Sequence, residues 1–365
     1  MTSKNHITNP KFLEKVDNFL KNITKEDKVT LIHDTDPDGI CSGTIIAKCV
    51  ERLRGRTIDF RIPLDKANYG LTPNMLSEIK KNKSTIVITC DFSAEGNLPA
   101  LKEIEKQAKV LVVDHHKLYN DYQTDRVILY KPQFFASIEP STYCTAKLAY
   151  DAAARVCDVS DLDWIAAAGC IADIATDPWM PWIESVFKKY NVPMKENFFD
   201  TIIGQCAATI SSTEVYDVKL VPQCFEAFYS AKKPEDILNG QFGKYKKIID
   251  VELETHKKLF EEKGEKKEDM IIYEMKSPYR IHSILSTILG LKYPHKTIVI
   301  INHISNKIAV SSRRGDKKKP VNELLEQCIK GFPNANAGGH VPAAGAGFEE
   351  KDLSEFKKRL WKTLE

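Results

Sequence analysis

The 365-residue chain carries 53 basic and 50 acidic side chains, a formal net charge of +3, so bulk charge gives no argument for a polyanionic partner and any basic surface has to be local. Apolar residues make up 42% and charged residues 28%, the balance of a soluble globular protein with room for two cored domains. No apolar run reaches the ~18 residues of a membrane span. The polar stretch 1–10 lacks the apolar core of a signal peptide, and nine scattered cysteines without a CxxC pair read as buried thiols in a reducing cytosol.

In chain order, residues 29–33 form a β-rich run that ends in acidic residues, and 40–54 have helical spacing. A second strand is expected at 57–62, a helix at 75–80, a third strand at 85–89, a helix at 98–107 and a fourth strand at 110–113. This alternation predicts an α/β fold built on a mostly parallel sheet with helices on both faces. Residues 141–157 and 162–171 read as helices, the second alanine-rich and central. From 181 to 267 the chain reads as a helical connecting region; Trp179 just before it and Trp182, Phe198 and Phe199 within it pack a core rather than stack on bases. A smaller α/β C-terminal domain follows: strand 270–273, helix 281–291, strands 297–302 and 307–312 joined by a tight turn at Asn306-Lys307, helix 321–329, a glycine-rich segment 337–347, a strand at Phe348 and a helix from Asp352. The expected division is 1–180, 181–267 and 268–365.

The chemistry gathers where apolar runs stop. His33, Asp36, Asp91, Asp114, His115 and His116 fall at three strand ends by count, where open α/β sheets collect ligands. Asp34, Asp36 and Asp38 are an acidic turn before a helix; carboxylates packed there repel one another unless a cation neutralises them. In an extended loop Asp36 and Asp38 would face the same side, and adjacent His115 and His116 would face opposite sides. Asp173 closes the alanine-rich helix. Carboxylates and imidazoles without thiolates suit manganese or magnesium and tolerate cobalt or zinc. A pair of such ions lowers the pKa of water, so phosphate esters can be split without a side-chain nucleophile. In the C-terminal domain, Gly338-Gly339-His340 lets backbone amides approach a phosphate, and Arg313 or Arg314 offers bidentate contacts. No Walker loop, GxGxxG or Gly-x-Ser-x-Gly is present.

These motifs together resemble the DHH phosphoesterases that carry a DHH-associated C-terminal domain. Asp36-Pro37-Asp38-Gly39 resembles the first family motif, Asp91 the second, Asp114-His115-His116 the third and Asp173 in Gly169-Cys170-Ile171-Ala172-Asp173 the fourth. Gly338-Gly339-His340 followed by Ala343-Ala344-Gly345 resembles the C-terminal substrate motif, with Arg313 upstream. The resemblance implies two Mn2+ ions, with Mg2+ or Co2+ as substitutes. It implies His33, Asp36, Asp38, Asp91, Asp114, His115 and Asp173 as the metal set, Asp91 as the bridge, and His116, with Asp114 and Asp91, in catalysis. Arg313, Gly338, Gly339 and His340 would hold substrate across an interdomain cleft. Several family members place three residues between the first histidine and the first aspartate; here only Asp34 and Thr35 stand between His33 and Asp36, so Asp34 competes for the role of His33.

Among subfamilies the first motif is most similar to that of archaeal RecJ-like nucleases, which implies exonucleolytic hydrolysis of single-stranded DNA or RNA, or of short oligonucleotides, and a place in a replication or repair complex. No segment reads as the OB-like barrel of bacterial RecJ relatives. The alternatives are a nano-RNase with 3′-phosphoadenosine 5′-phosphate phosphatase activity, a cyclic dinucleotide phosphodiesterase, or a non-catalytic replisome scaffold resembling Cdc45. Pyrophosphatases are disfavoured, because Ser312-Arg313-Arg314 only echoes their C-terminal signature.

Overall fold

The computed structural model describes residues 6–64 and 70–363, so residues 1–5 of the polar N-terminal stretch lie outside the described residues. Two compact units divide at 244/245. The first opens with α1 (Pro10–Lys21), then β1 (Val29–His33), α2 (Pro37–Arg54), β2 (Phe60–Pro63), α3 (Pro73–Lys81), β3 (Ile86–Cys90), α4 (Leu98–Glu105), β4 (Lys109–Val113) and β5 (Val127–Tyr130). The five strands form one parallel sheet in the order β2-β1-β3-β4-β5. The chain leaves β1 for β2 on one side and returns to β3 on the other, which opens a crevice at the carboxyl ends of β1 and β3. All five residues of β1 and of β3 are buried, as expected of strands covered on both faces. The fold class agrees with the alternating pattern of the sequence; β5 and α1 are additions to it.

One face of the sheet is covered by α3 and α4, whose Met75, Ile79, Leu101 and Ile104 join Ile32, Val87, Val110 and Leu129 in one apolar cluster. A second group of helices forms a separate helical layer around α2: α5 (Thr145–Ala154), α6 (Asp163–Ala172), α7 (Met180–Lys189), α8 (Ile202–Tyr216), α9 (Val221–Ser230) and α10 (Pro234–Leu238). α2 packs against α5, α6, α8 and α9. It starts at an Asp36 cap followed by Pro37 and stops at Gly55, whose φ of 68° closes the helix in the left-handed region. Its interior is buried almost all round, because it lies within that helical layer rather than at the surface. α6 is short and small-sided for a physical reason: a Cβ on Gly169 would stand 2.4 Å from the Cβ of Ala146 and 3.0 Å from an Asp38 carboxylate oxygen. Trp179 is in the core, whereas Trp182, Phe198 and Phe199 are half-buried. Trp179 and Trp182 flank the Lys147 ammonium at 4.6 and 4.8 Å.

α11 (Gln241–Lys263) spans the division of the chain. The second unit continues with β6 (Glu265–Lys267), β7 (Met270–Met275), α12 (His282–Lys292), β8 (Thr297–Ile304), β9 (Lys307–Arg313), α13 (Val321–Ile329), β10 (Asn336–His340), β11 (Ala343–Glu349) and α14 (Leu353–Lys362). Its six-stranded sheet runs β10-β11-β9-β8-β7-β6 and is antiparallel except between β7 and β8. Val321, Leu325, Phe356 and Leu360 of α13 and α14 pack on Val299, Ile301 and Phe348. The glycine-rich segment, given no secondary structure by the sequence reading, contains strands β10 and β11. It is a hairpin in which Gly338 faces Gly345 and His340 faces Ala343, because β11 pairs with β9 and gives the polar segment a template.

Gly169→Ala is expected to lower the stability of the first unit by about 1–3 kcal/mol through overpacking. Urea denaturation with an unchanged m-value would show it; equal midpoints for variant and parent would mean that α6 has room to move.

Candidate metal centre

The crevice is built from four chain segments. β1 delivers His33, fully buried, whose Nδ1 lies 2.6 Å from the Asp34 carbonyl. That contact puts the ring proton on Nδ1 and leaves Nε2 with a lone pair; Nε2 is buried without a hydrogen-bond partner. Burial depresses the imidazole to about 4, so it is neutral, the state a metal ligand requires. The ring stacks on Phe225 of α9 at 4.9 Å, and the Arg61 guanidinium stands 4.1 Å from the Phe225 ring centre. The Asp34 carboxylate turns back onto its own chain, accepting from the Thr35 amide at 2.5 Å.

Asp36 and Asp38 are not in an extended loop. Asp36 caps α2 and accepts from the Gly39 amide at 2.9 Å, while Asp38 stands inside the first helical turn. Gly39 is required there, since a Cβ would meet the Asp34 carbonyl oxygen at 2.5 Å. The two Asp38 oxygens accept from the Thr145 and Ala146 amides at 2.7 and 2.8 Å. These are the free donors of the α5 N-terminus, and they hold a carboxylate that is 1% exposed. Burial and then the charge of Asp36 push Asp38 up to about 6 against the pull of those amides.

Asp91 follows β3 with φ 69°, a left-handed turn that aspartate tolerates better than most residues. Its Oδ1 accepts from the Thr145 hydroxyl at 2.8 Å. Asp173 caps the end of α6. The His115 Nε2 lies 3.3 Å from Asp173, 3.7 Å from Asp91 and 4.0 Å from Asp38. Burial and then the neighbouring Asp38 charge raise both Asp91 and Asp173 well above the carboxylate range. Burial and then the His116 charge hold His115 down at about 4, and its Nε2 is the nitrogen that faces the acids.

His115 and His116 do not point opposite ways. The chain leaves the strand at Val113 and bends, so the alternation of an extended segment no longer applies. The rings are 4.7 Å apart at 72°, and His116 Nδ1 is 3.8 Å from Asp91. The same Nδ1 is 2.7 Å from Asp114 Oδ1. Asp114 departs from the ligand role expected of it: its other oxygen accepts from the Lys131 ammonium at 2.6 Å and from the Ser93 hydroxyl at 3.2 Å. Lys131 is fully buried and also pairs with Glu95 at 2.7 Å. Burial raises an isolated acid, but the His116 bond and the His116 and Lys131 charges hold Asp114 far below the usual range. Burial opposes a proton on His116, and its bond to Asp114 outweighs that, so its pKa rises.

Lys131, Ser93, Thr145, Phe225 and Glu214, which accepts from the Thr35 hydroxyl at 3.0 Å, were outside the sequence-derived set. Only Lys131 carried a sequence signal, a lysine after the apolar run of β5. The region read as featureless connector supplies Phe225 and Glu214.

Do these residues fit a divalent cation? Two donor groups, Asp38–His115–Asp173 and Asp91–His115–His116, have ligand atoms within 4.8 Å of one another. Among the described residues none of Asp38, Asp91 and Asp173 is ion-paired with lysine or arginine. Buried acids in such numbers without a counter-charge are costly, and His33, in register with Cys90 just before Asp91, presents an orphaned nitrogen. The site fits oxygen- and nitrogen-loving divalent ions.

In the second unit, Arg313 ends β9 and has no carboxylate partner among the described residues. It is held by the Ser312 carbonyl at 2.9 Å and the Ser311 and Thr287 hydroxyls, each at 3.2 Å, and burial depresses it to about 10. Arg314 is instead tied to Asp269 and Asp316, both at 2.7 Å. Gly338, Gly339 and His340 are exposed on the edge strand β10. Gly339 has φ 138°, and a Cβ there would strike the Ala343 carbonyl oxygen at 2.4 Å.

Asp91→Ala and Asp173→Ala are each expected to lower Mn2+ affinity at least about 100-fold, and Phe225→Ala about 10-fold by releasing His33, with Phe225→Tyr near the parent. Asp114→Asn keeps Mn2+ bound. Isothermal titration of metal-free protein checks the series; unchanged affinity in Asp91→Ala would remove that residue from the site.

Residues 28–176 match the DHH family N-terminal domain and residues 273–365 the DHHA1 domain. The single-stranded-DNA-specific exonuclease RecJ of Bacillus subtilis (strain 168) is 26% identical over 121 residues, 33% of this chain and only 15% of that protein. Among solved structures, RecJ of Thermus thermophilus in complex with Mn2+ aligns with a TM-score of 0.67 at 14% identity, covering 96% of this chain and 54% of that one. Cdc45 of Entamoeba histolytica aligns at 0.57 with 12% identity, covering 96% and 98%. The chain thus spans a small part of its curated relative and about half of the first RecJ structure. No described helix is long and apolar enough to cross a membrane. The two family domains, in order, the first carrying the acid–imidazole crevice, make this chain a member of the DHH superfamily, similar to RecJ.

Proposed function

We propose that the chain is a metal-dependent phosphodiesterase that degrades single-stranded DNA or RNA from an end. The observation that carries this reading is the convergence of Asp38, Asp91 and Asp173 on one imidazole nitrogen of His115 within 4.0 Å. Asp36, Asp38, Asp91, His115, Asp173 and the orphaned nitrogen of His33 would hold two Mn2+ ions, with Asp91 shared. When bound, the ions supply Lewis-acid charge for the phosphoryl oxygens and acidify water. Similarity to RecJ supports the single-strand preference.

The chain's own groups do the rest. Asp114 fixes the His116 ring through Nδ1, which leaves Nε2 to bond the scissile phosphate and give a proton to the departing oxygen. Lys131 and Ser93 keep Asp114 ionised and still. Thr145 and the α5 amides hold Asp91 and Asp38 in place before any ion arrives, so ordering cost is met during folding. In the second unit Arg313 binds a backbone phosphate as a cation without a competing carboxylate. The exposed edge of β10 at Gly338 and Gly339, with His340, takes a neighbouring phosphate.

A timed digest of end-labelled single strands of about 20 nucleotides, the matching duplex and dinucleotides, with Mn2+, tests this reading. A stepwise ladder on the single strands with the duplex intact is expected, with Asp114→Asn about 10–100-fold slower and Arg313→Ala raising KM more than it lowers kcat. Hydrolysis confined to dinucleotides would replace it with a short-oligomer phosphodiesterase. Absence of hydrolysis of any strand and of bis-p-nitrophenyl phosphate would leave a Cdc45-like scaffold.

A further inference from the structure

All nine cysteines are free, and eight are buried as their apolar surroundings predict; Cys157, just beyond α5, is partly exposed. Two pairs bring sulfurs nearly into contact. Cys144 and Cys170 lie 3.5 Å apart beneath the metal centre, both fully buried. Cys49, in the interior of α2, and Cys157 lie 3.7 Å apart. The loop that bears Cys157 is not left to drift. Arg52, one turn along α2 from Cys49, donates to the Asp158 carbonyl at 2.5 Å and forks onto both oxygens of Asp161 at 2.8 Å.

We propose that Cys49 and Cys157 are a redox modification site, joined by a disulfide when the protein meets a hydroperoxide. The pair differs from Cys144–Cys170 in access and charge. The Cys49 hydrogen bond, and then the Arg52 charge, lower the Cys157 thiol, and its exposure lets a small oxidant reach it. Burial raises the Cys144 thiol well above its ordinary range, and its sulfur is sealed inside the helical layer. Toward a peroxide the thiolate is the reactive form.

The Cys157 thiolate attacks one oxygen of the hydroperoxide, cleaving the O–O bond; sulfur is oxidised to a sulfenic acid and hydroxide or alkoxide leaves. The Cys49 sulfur then attacks the Cys157 sulfur. The S–O bond breaks, the Cys49 proton goes to the departing oxygen, and water leaves with the disulfide formed. The sulfurs have only to close from 3.7 Å to about 2.05 Å. Because Cys49 sits toward the far end of α2 and Cys157 beyond the end of α5, the bond would tie together the two helices whose N-termini hold Asp38. It closes a loop of about 100 residues, the kind that confines an unfolded chain most.

The test is a peptide map. The protein is treated with a slight excess of hydrogen peroxide, alkylated, and digested without reductant. A linked peptide joining Cys49 to Cys157 is expected, together with a melting temperature raised by roughly 5–10 °C that dithiothreitol reverses. The linked peptide should be absent from Cys157→Ser, a change at a partly exposed position, and present in Cys144→Ser. Recovery of Cys49 and Cys157 as separate alkylated peptides, oxidation of Cys157 to sulfinic acid with Cys49 still free, or a Cys144–Cys170 link in their place would each overturn the assignment. The readout is independent of nuclease activity, so its failure leaves the proposed hydrolysis untouched.

Discussion

Buried like charge is the constraint on which this molecule turns. Asp38, Asp91 and Asp173 surround one imidazole nitrogen within 4.0 Å and carry no lysine or arginine partner among the described residues. Taking three carboxylates out of water costs several kcal/mol per ion even after relaxation. The fold meets part of that cost with dipoles: the α5 amides on Asp38 and the Thr145 hydroxyl on Asp91. The remainder shows as raised carboxyl pKa values, which is the electrostatic form of an appetite for cations.

A second network, one layer out, follows opposite rules. Asp114 is as buried as Asp91, yet its acidity is strengthened because Lys131 and His116 sit on its two oxygens. Two aspartates at successive strand ends of one sheet therefore take different roles. One is left short of positive charge and can share a metal; the other is neutralised and can orient an imidazole. Their environments, rather than their residue type, separate them.

The helices after residue 180 are part of this arrangement. Phe225 lies against His33, Arg61 lies against Phe225, and Glu214 holds Thr35 in the acidic turn. An imidazole with one nitrogen bonded to a carbonyl and its face on an aromatic ring has little freedom left, which favours a prepared ligand. The connector thus contributes to the centre by packing, a role that needs no acid, imidazole or motif of its own.

The parallel sheet, most of its elements and the gathering of Asp38, Asp91, His115, His116 and Asp173 in one crevice were legible in the sequence, because apolar runs that end in acids or imidazoles are local patterns. So was the C-terminal α/β unit with Arg313 at a strand end. The orientation of the side chains was not. Asp38 lies in a helix rather than an extended loop, both histidines reach Asp91 because the chain bends after Val113, and the glycine-rich segment is a hairpin because β9 offers β11 a partner. Lys131, Thr145, Phe225 and Cys157 gained their roles from residues 17 to 192 positions away in the chain. Local periodicity sets which way a strand or helix faces; which distant group meets it is decided only when the layers close, since contact energies between such groups exist nowhere in the unfolded chain.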